Sequence, residues 1–185
     1  MDSLYTITTP RLRLYAPSHK EVRALRNGDF ATVNASVGAV ASPEWLRGPS
    51  MMRFVPHLPE AMEQEPGDSR WLWLIIEPIS ATVVGDIGFH SPLRAHETVE
   101  IGYSVIPRVR GFGYTTEVGK ALLAWTFVNT QVAEVIAQIE PGNAASLRVA
   151  AKLGMHEIPQ QTIGHCCFSV QRSVATSLAG DSDRG

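Results

Sequence analysis

Residues 71–106 hold three strand-like runs in succession, and a glycine-broken turn then starts a helix. "WLWLIIE" (71–77) is apolar almost throughout and stops at Pro78. "TVVGDIGFH" (82–90) and "TVEIGYSVI" (98–106) follow, and the "SPLRAHE" between them is short enough for an antiparallel return. Next comes "PRVRGFGYTTEVGKALLAW" (107–125), where Val118, Ala121, Leu122 and Trp125 keep the i, i+3, i+4, i+7 spacing of a core-facing helical stripe. Three antiparallel strands ahead of the first helical crossover speak against the usual early βαβ unit of a dinucleotide-binding fold.

The flanks extend the pattern. "RLRLYA" (11–16) alternates as a half-buried strand does, and Ser18 suits the N-cap of a helix reaching about Arg26. Residues 28–70 are expected to hold a second helix and a long loop. "AEVIAQI" (133–139) reads as a strand. Asn143 caps a further helix that Gly154 ends. "MHEI" and "TIGHCCFSVQR" close the series as strands. The expectation is an α/β (α+β) fold with a central, mostly antiparallel mixed sheet of about seven strands flanked by helices. Residues 1–175 are expected to form a single domain, and 176–185 a polar, flexible tail.

Composition excludes several classes. A formal net charge of −2 without a basic run argues against nucleic-acid binding. The longest fully apolar run, Trp71 to Ile76, is far too short to span a bilayer. The N-terminal "MDSLYTITTPRLRLY" lacks the apolar core of a signal peptide, so a cytoplasmic protein with no membrane partner is expected. Cys166 and Cys167 are strand neighbours that point to opposite faces, badly placed to pair with each other. His90, His96 and His165 show no metal-ligand spacing; they read as structural, and no metal is expected.

Gly111 and Gly113 strip side chains from the mouth of the helix. The first helical turn leaves amide hydrogens unpaired, and the helix dipole adds partial positive charge there. With Arg108 and Arg110 beside it, this turn suits a phosphate, most naturally the pyrophosphate of a nucleotide-like cofactor. The alternative is a turn that binds nothing. A P-loop is excluded for want of its Lys-Ser/Thr pair, and a dinucleotide fingerprint would need glycine at Thr116.

Arg108-Val109-Arg110-Gly111-Phe112-Gly113 resembles the signature of the GNAT N-acetyltransferase superfamily: Arg or Gln, two residues, Gly, one residue, then Gly or Ala. "EIGYSVIPRVRGFGYTTE", "NAASLRVAAKLGM" and "TPRLRLYAPSHKEV" are similar to the branch of ribosomal-protein N-terminal (Rim-type) acetyltransferases. The resemblance covers roughly residues 6–172. It implies a sheet that splays between its fourth and fifth strands to take acetyl-CoA as cosubstrate. Ser104 and Val105 would lie along the pantetheine arm. The amides of Arg110, Gly111, Phe112, Gly113, Tyr114 and Thr115 would cradle the pyrophosphate, with Arg108 on the approach. Asn143 would hold the pantetheine or the attacking side. The acceptor would be a protein N-terminal α-amine or a small-molecule amine, and a homodimer is the family-level expectation.

Acetyl transfer needs a deprotonated amine, a donor to the thioester oxygen and a departing thiolate. A lysine costs about 3.5 kcal/mol more to deprotonate at neutral pH than a chain terminus. Glu100 is the candidate base. Alternation puts it on one face with Gly102 and Ser104, and in the resembled branch a strand glutamate here deprotonates the amine through water. The alternative is a solvated acid. Ser146 is the candidate acid, carried over from the branch's Asn-x-x-Ser pattern. The wider superfamily's tyrosine would fall at Ala150, so that mechanism is absent at its usual position. Arg148 and Lys152, four apart on this helix, would reach cofactor phosphates or form a solvated cationic face, the reading preferred here. Glu60, Glu63, Glu65 and Asp68 would attract an amine or form a solvated loop. Trp45, Met51, Met52 and Phe54 would wall a substrate pocket or pack the core. The competing functions are a catalytically inactive acyl-CoA-binding module and a dinucleotide-dependent oxidoreductase.

Overall fold

A computed structural model describes residues 6–64, 71–90, 93, 97–159 and 162–172. The fold is mixed α/β, mostly antiparallel strands with flanking helices. It divides into two compact units, one of residues 1–88 and 103–118, the other of 89–102 and 119–185.

In the first unit, β1 (Thr6–Thr8) and β2 (Arg13–Tyr15) form a hairpin, and β2 also pairs antiparallel with β4 (Leu72–Glu77). Helix α1 (His19–Arg26) starts at a capping box: the Glu21 amide donates to Ser18 Oγ, and the Ser18 amide donates to Glu21 Oε2. Strand β4 pairs antiparallel with β5 (Thr82–Phe89), with a register shift at Ile75/Ile76. Beside β5 runs β6 (Thr98–Val105), of which Tyr103–Val105 belong to this unit. The two strands approach closely at Gly85, where an added methyl would collide with the Ser104 carbonyl.

Residues 30–64 are more ordered than a helix and a loop. They form α2 (Phe30–Val37), the short β3 (Val40–Ala41) parallel to β5, α3 (Pro43–Leu46), a π-helical turn (Ser50–Phe54), a 3-10 turn (Val55–His57) and α4 (Leu58–Gln64). Asp29 and Ser42 cap α2 and α3 by accepting from the amides of Thr32 and Trp45. Each piece is too short to show a hydrophobic period, which is why the sequence pattern missed them. Strands β1 and β3, of three and two residues, were missed for the same reason.

In the second unit, Thr98–Glu100 of β6 pair in parallel with Glu134–Ile136 of β7 (Glu134–Ile139). Strand β7 pairs antiparallel with β9 (Cys166–Gln171), which carries β8 (His156–Ile158) on its other side. Helix α5 (Tyr114–Asn129) runs from the first unit into the second. Its buried side chains are Val118, Leu122, Leu123, Thr126 and Phe127, whereas Ala121 and Trp125 are only part-buried. The stripe is therefore rotated from the expected one. Gly119 explains this: a methyl there would lie 2.8 Å from Leu153 Cδ2, so the helix is packed closely along its Gly119–Leu123 side. Arg172 donates to the carbonyls of Phe127, Thr130 and Val132 and so closes the C-terminal end of α5. Helix α6 (Ala144–Lys152) is capped by Asn143, whose Oδ1 accepts from the Ser146 amide at 3.1 Å. Gly154 follows it at φ 75°. Neither cysteine forms a disulfide among the described residues; Cys167 is buried and Cys166 part-buried. Residues 173–185, which include the expected tail 176–185, lie outside the described residues.

Candidate active site

The glycine turn of the first unit has the required backbone. Gly111 and Gly113 take φ 83° and 79°, values that favour glycine whatever the space around them. Nothing stands within 4 Å of a side chain at Gly111, so glycine is needed there for conformation and for an outside approach rather than for packing. Phe112, between them, is 60% exposed. Two of the six amides expected to cradle an anion turn inward: Arg110 N donates to the Pro107 carbonyl at 3.1 Å and Phe112 N to the Val109 carbonyl at 3.4 Å. The amides of Gly111, Gly113, Tyr114 and Thr115 have no acceptor among the described residues. An anion at the start of α5 would supply one.

The turn is braced from below. Tyr114 donates its hydroxyl to Glu77 Oε1 at 2.7 Å, and Arg108 lies 3.7 Å from Glu77 Oε2. Ser80, then Tyr114, hold the Glu77 carboxyl below its ordinary range. Arg110, exposed, leans on the Val105 carbonyl at 3.4 Å. Sequence reasoning missed Arg11. Its Nη1 donates to the Phe112 carbonyl at 3.0 Å, its Nε and Nη2 reach Glu117 Oε2 at 2.7 Å each, and its guanidinium lies 4.9 Å from the Tyr114 ring centre. Thr9 Oγ1 and the Arg11 amide donate to Glu117 Oε1 as well. Burial pushes the Glu117 carboxyl up, but these bonds outweigh it and hold the group ionised below the usual range.

Glu100, in the second unit, is not a solvated acid. Its side chain is 25% exposed, and His90 Nδ1 lies 3.2 Å from Oε1. Gln138 Nε2 donates to Oε2 at 2.9 Å. The His90 hydrogen bond, against opposition from burial, holds the Glu100 carboxyl below its ordinary range, with Gln138 assisting. The expected alternation holds only in the first half of the strand: Val99 and Ile101 are buried and Glu100 and Gly102 partly open, whereas Tyr103, Ser104 and Val105 are all part-buried. Ser146 is part-buried on the first turn of α6 and Asn143 is exposed. Ala150, the position of the superfamily's tyrosine, is fully buried and packs the core.

The sequence model of the acetyltransferase (GNAT) domain matches residues 19–156. The chain belongs to the GNAT acetyltransferase family. Among curated proteins it is similar to YkkB, an uncharacterized protein of Bacillus subtilis strain 168, with 38% identity over 86 residues. That region is 46% of this chain and 50% of YkkB, so the match spans about half the length of that relative. It is also 26% identical over 119 residues to YnaD, an uncharacterized N-acetyltransferase of the same organism, covering 60% of this chain and 69% of YnaD. In structure it resembles Mycobacterium smegmatis RimJ in complex with CoA-disulfide, with a TM-score of 0.58 and 17% identity, over 95% of this chain and 94% of that one. At that identity the likeness is one of fold.

Contacts decide the other expectations for this GNAT chain. Glu60 and Glu63 are bound up with α1: Arg26 pairs with Glu60 and Arg23 with Glu63. They are committed to ion pairs rather than presented to an amine; Glu65 and Asp68 lie outside the described residues. Trp45 is buried and donates Nε1 to Asp86 Oδ2 at 2.6 Å, while Ser50 Oγ donates to Asp86 Oδ1 at 2.5 Å. Met51 and Phe54 are part-buried and Met52 is exposed. Sequence reasoning missed Asp86 although one signal was present, a lone acid inside the otherwise apolar β5. His90 reads as structural from spacing alone, and the structure ties it to Glu100. His96 lies outside the described residues. Among the described residues no cluster of three metal-ligating side chains occurs, and no helix is long and apolar enough to cross a membrane.

Proposed function

We propose that this GNAT chain is an acetyl-CoA-dependent N-acetyltransferase acting on a primary amine, a protein N-terminal α-amine or a small-molecule amine. The observation that carries the reading is the set of four amides without acceptors among the described residues, at a positive-φ glycine turn heading a sixteen-residue helix. A diphosphate fits that donor set, and coenzyme A is the diphosphate carrier bound to RimJ. In this reading Gly111, Gly113, Tyr114 and Thr115 bind the pyrophosphate through their amides. Arg108 and Arg110 add charge, and Phe112 flanks the site. Ser104 and Val105 run beside the pantetheine, and Asn143 holds the cosubstrate near the acceptor.

The amine attacks the thioester carbon directly. The N–H proton leaves toward the base side, to which Glu100 belongs. The C–S bond breaks, and the thiolate takes a proton from Ser146 or solvent. A thiol of pKa about 8.5 leaves readily enough that loss of Ser146 slows the reaction without abolishing it.

Calorimetric titration with coenzyme A, followed by thiol release from acetyl-CoA with a panel of Ala-, Ser- and Met-initiated peptides and polyamines, tests the proposal. Binding together with amine-dependent release is expected. Binding without release, unchanged in Glu100→Gln and Ser146→Ala, would instead describe an inactive acyl-CoA module. No binding at all would end the reading.

A further inference from the structure

We infer that His90 is the group that takes the proton from the acceptor amine, with Glu100 and Gln138 as positioning residues behind it. The inference rests on the acetyl-transfer reading above and deepens it.

The backbone joins the pair: His90 N donates to the Glu100 carbonyl at 2.9 Å across the β5–β6 hairpin. Their side chains then meet at 3.2 Å through Nδ1. Glu100's other oxygen is occupied by Gln138 of β7 at 2.9 Å. A carboxylate engaged at both oxygens is a weak base. Those donors favour its charged form, and a proton would have to displace one of them. A carboxylate that holds Nδ1–H fixes the imidazole as the tautomer whose Nε2 carries the lone pair, and it stabilises the imidazolium formed when that nitrogen is protonated.

Exposure agrees with this division of labour: the His90 side chain is 49% exposed, Glu100 25%. So does the strand beneath. A side chain at Gly102 would come 2.7 Å from His90 Nε2, so the glycine makes the place in which the ring lies. Among the described residues His165 is the other titratable group that acts on Glu100, and its Nδ1 is buried without a partner there. In the step itself the amine N–H bond breaks and its proton goes to Nε2. The nitrogen pair forms the C–N bond, the C–S pair leaves with sulfur, and the imidazolium returns its proton to solvent. No oxidation is involved.

His90→Asn and His90→Gln separate the roles, because either amide can still donate to Glu100. If His90 only positions Glu100, these variants keep kcat within about threefold, which would overturn the inference. If His90 is the base, kcat falls about 10²- to 10⁴-fold with KM for the Ala-initiated peptide little changed. Added imidazole then restores His90→Ala but not Glu100→Gln. Nitrogen-15 NMR of histidine-labelled protein reads the pair without turnover. An Nδ1–H tautomer at His90 that is lost in Glu100→Gln supports the inference; an Nε2–H tautomer in the unmodified chain refutes it. Should no amine on the panel be acetylated, the acetyl-transfer reading fails, and the tautomer still decides the pair.

Discussion

Replacing Asp86 by asparagine should change how stability depends on pH, and the size of the change follows from its surroundings. Asp86 is 4% exposed within β5, and its hydrogen bonds come from Trp45 and Ser50, neither of which carries a charge. Burial pushes its carboxyl from 3.8 up to about 6, against the pull of Ser50 and Trp45. The folded state thus holds its proton more tightly than the unfolded chain. Between pH 4 and 6 the unfolded carboxyl ionises while the buried one does not, so the contribution of Asp86 to stability falls as pH rises through that window and levels off above it. A displacement of about 2 pH units at 1.36 kcal/mol each amounts to about 3 kcal/mol, an order-of-magnitude figure. Asparagine keeps an acceptor for Trp45 and offers Ser50 a donor, but carries no titratable proton. Urea unfolding followed by tryptophan fluorescence, with both proteins measured every half unit from pH 4 to 8, gives the difference directly. The Asp86→Asn variant should gain on the original by roughly 3 kcal/mol between pH 4 and 7, less whatever its altered bonds cost at every pH. Taking the difference cancels Glu21, Glu77, Glu100 and Glu117, whose lowered values act with the opposite sign in both proteins. Two parallel stability curves would refute the argument and mean that water or a rearrangement relieves the burial.

Four further outcomes are expected. Gly111→Val and Gly113→Val should raise the calorimetric Kd for coenzyme A at least about tenfold, since each forces a branched side chain into φ near 80° and screens the amides. Arg11→Gln should weaken coenzyme A binding about fivefold by leaving the Glu117 carboxylate uncompensated in the first turn of α5, and Arg11→Gln with Glu117→Gln should recover most of it. Ser18→Ala removes half of the α1 capping box and should cost about 1 kcal/mol, read as a Tm lower by about 2–4 °C. Gly102→Ala should displace the His90 ring and shift its NMR signals while the melting temperature moves far less than for a core substitution.

Elements that carry their own period or cap were legible in the sequence. Strands β4 to β7 announce themselves by β-branched runs and by Pro78, and α1 and α6 by Ser18 and Asn143, because strand propensity and capping act over a few neighbouring residues. The segment from Phe30 to Gln64 was not legible. Its helices run four to eight residues, and what holds α3 and the π-helical turn is a bond from Trp45 and another from Ser50 to Asp86, 41 and 36 positions away. No local window contains both ends of such a bond. The α5 stripe failed for a related reason, since spacing gives the angular width of an apolar face but not which edge of it a distant Leu153 will choose.

The same limit separates the glycine turn from the proton-handling group. The turn could be read because its chemistry is the backbone's own: positive φ, unpaired amides and a helix start are all local consequences of Gly-Phe-Gly. The proton-handling group could be read only as single residues. Glu100 drew notice by its position in a strand, yet whether a carboxylate accepts a proton or steadies a neighbour depends on what occupies its two oxygens. Those partners come from His90, ten residues back across a hairpin, and from Gln138, thirty-eight residues on in a parallel strand. A histidine with no metal-ligand spacing looks structural until the partner of its Nδ1 is known, and that partner is fixed by strand register, which places His90 N against the Glu100 carbonyl. Register, rather than residue type, therefore assigns the base, and a one-residue slip between β5 and β6 would carry Glu100 to the opposite face and leave His90 without its carboxylate.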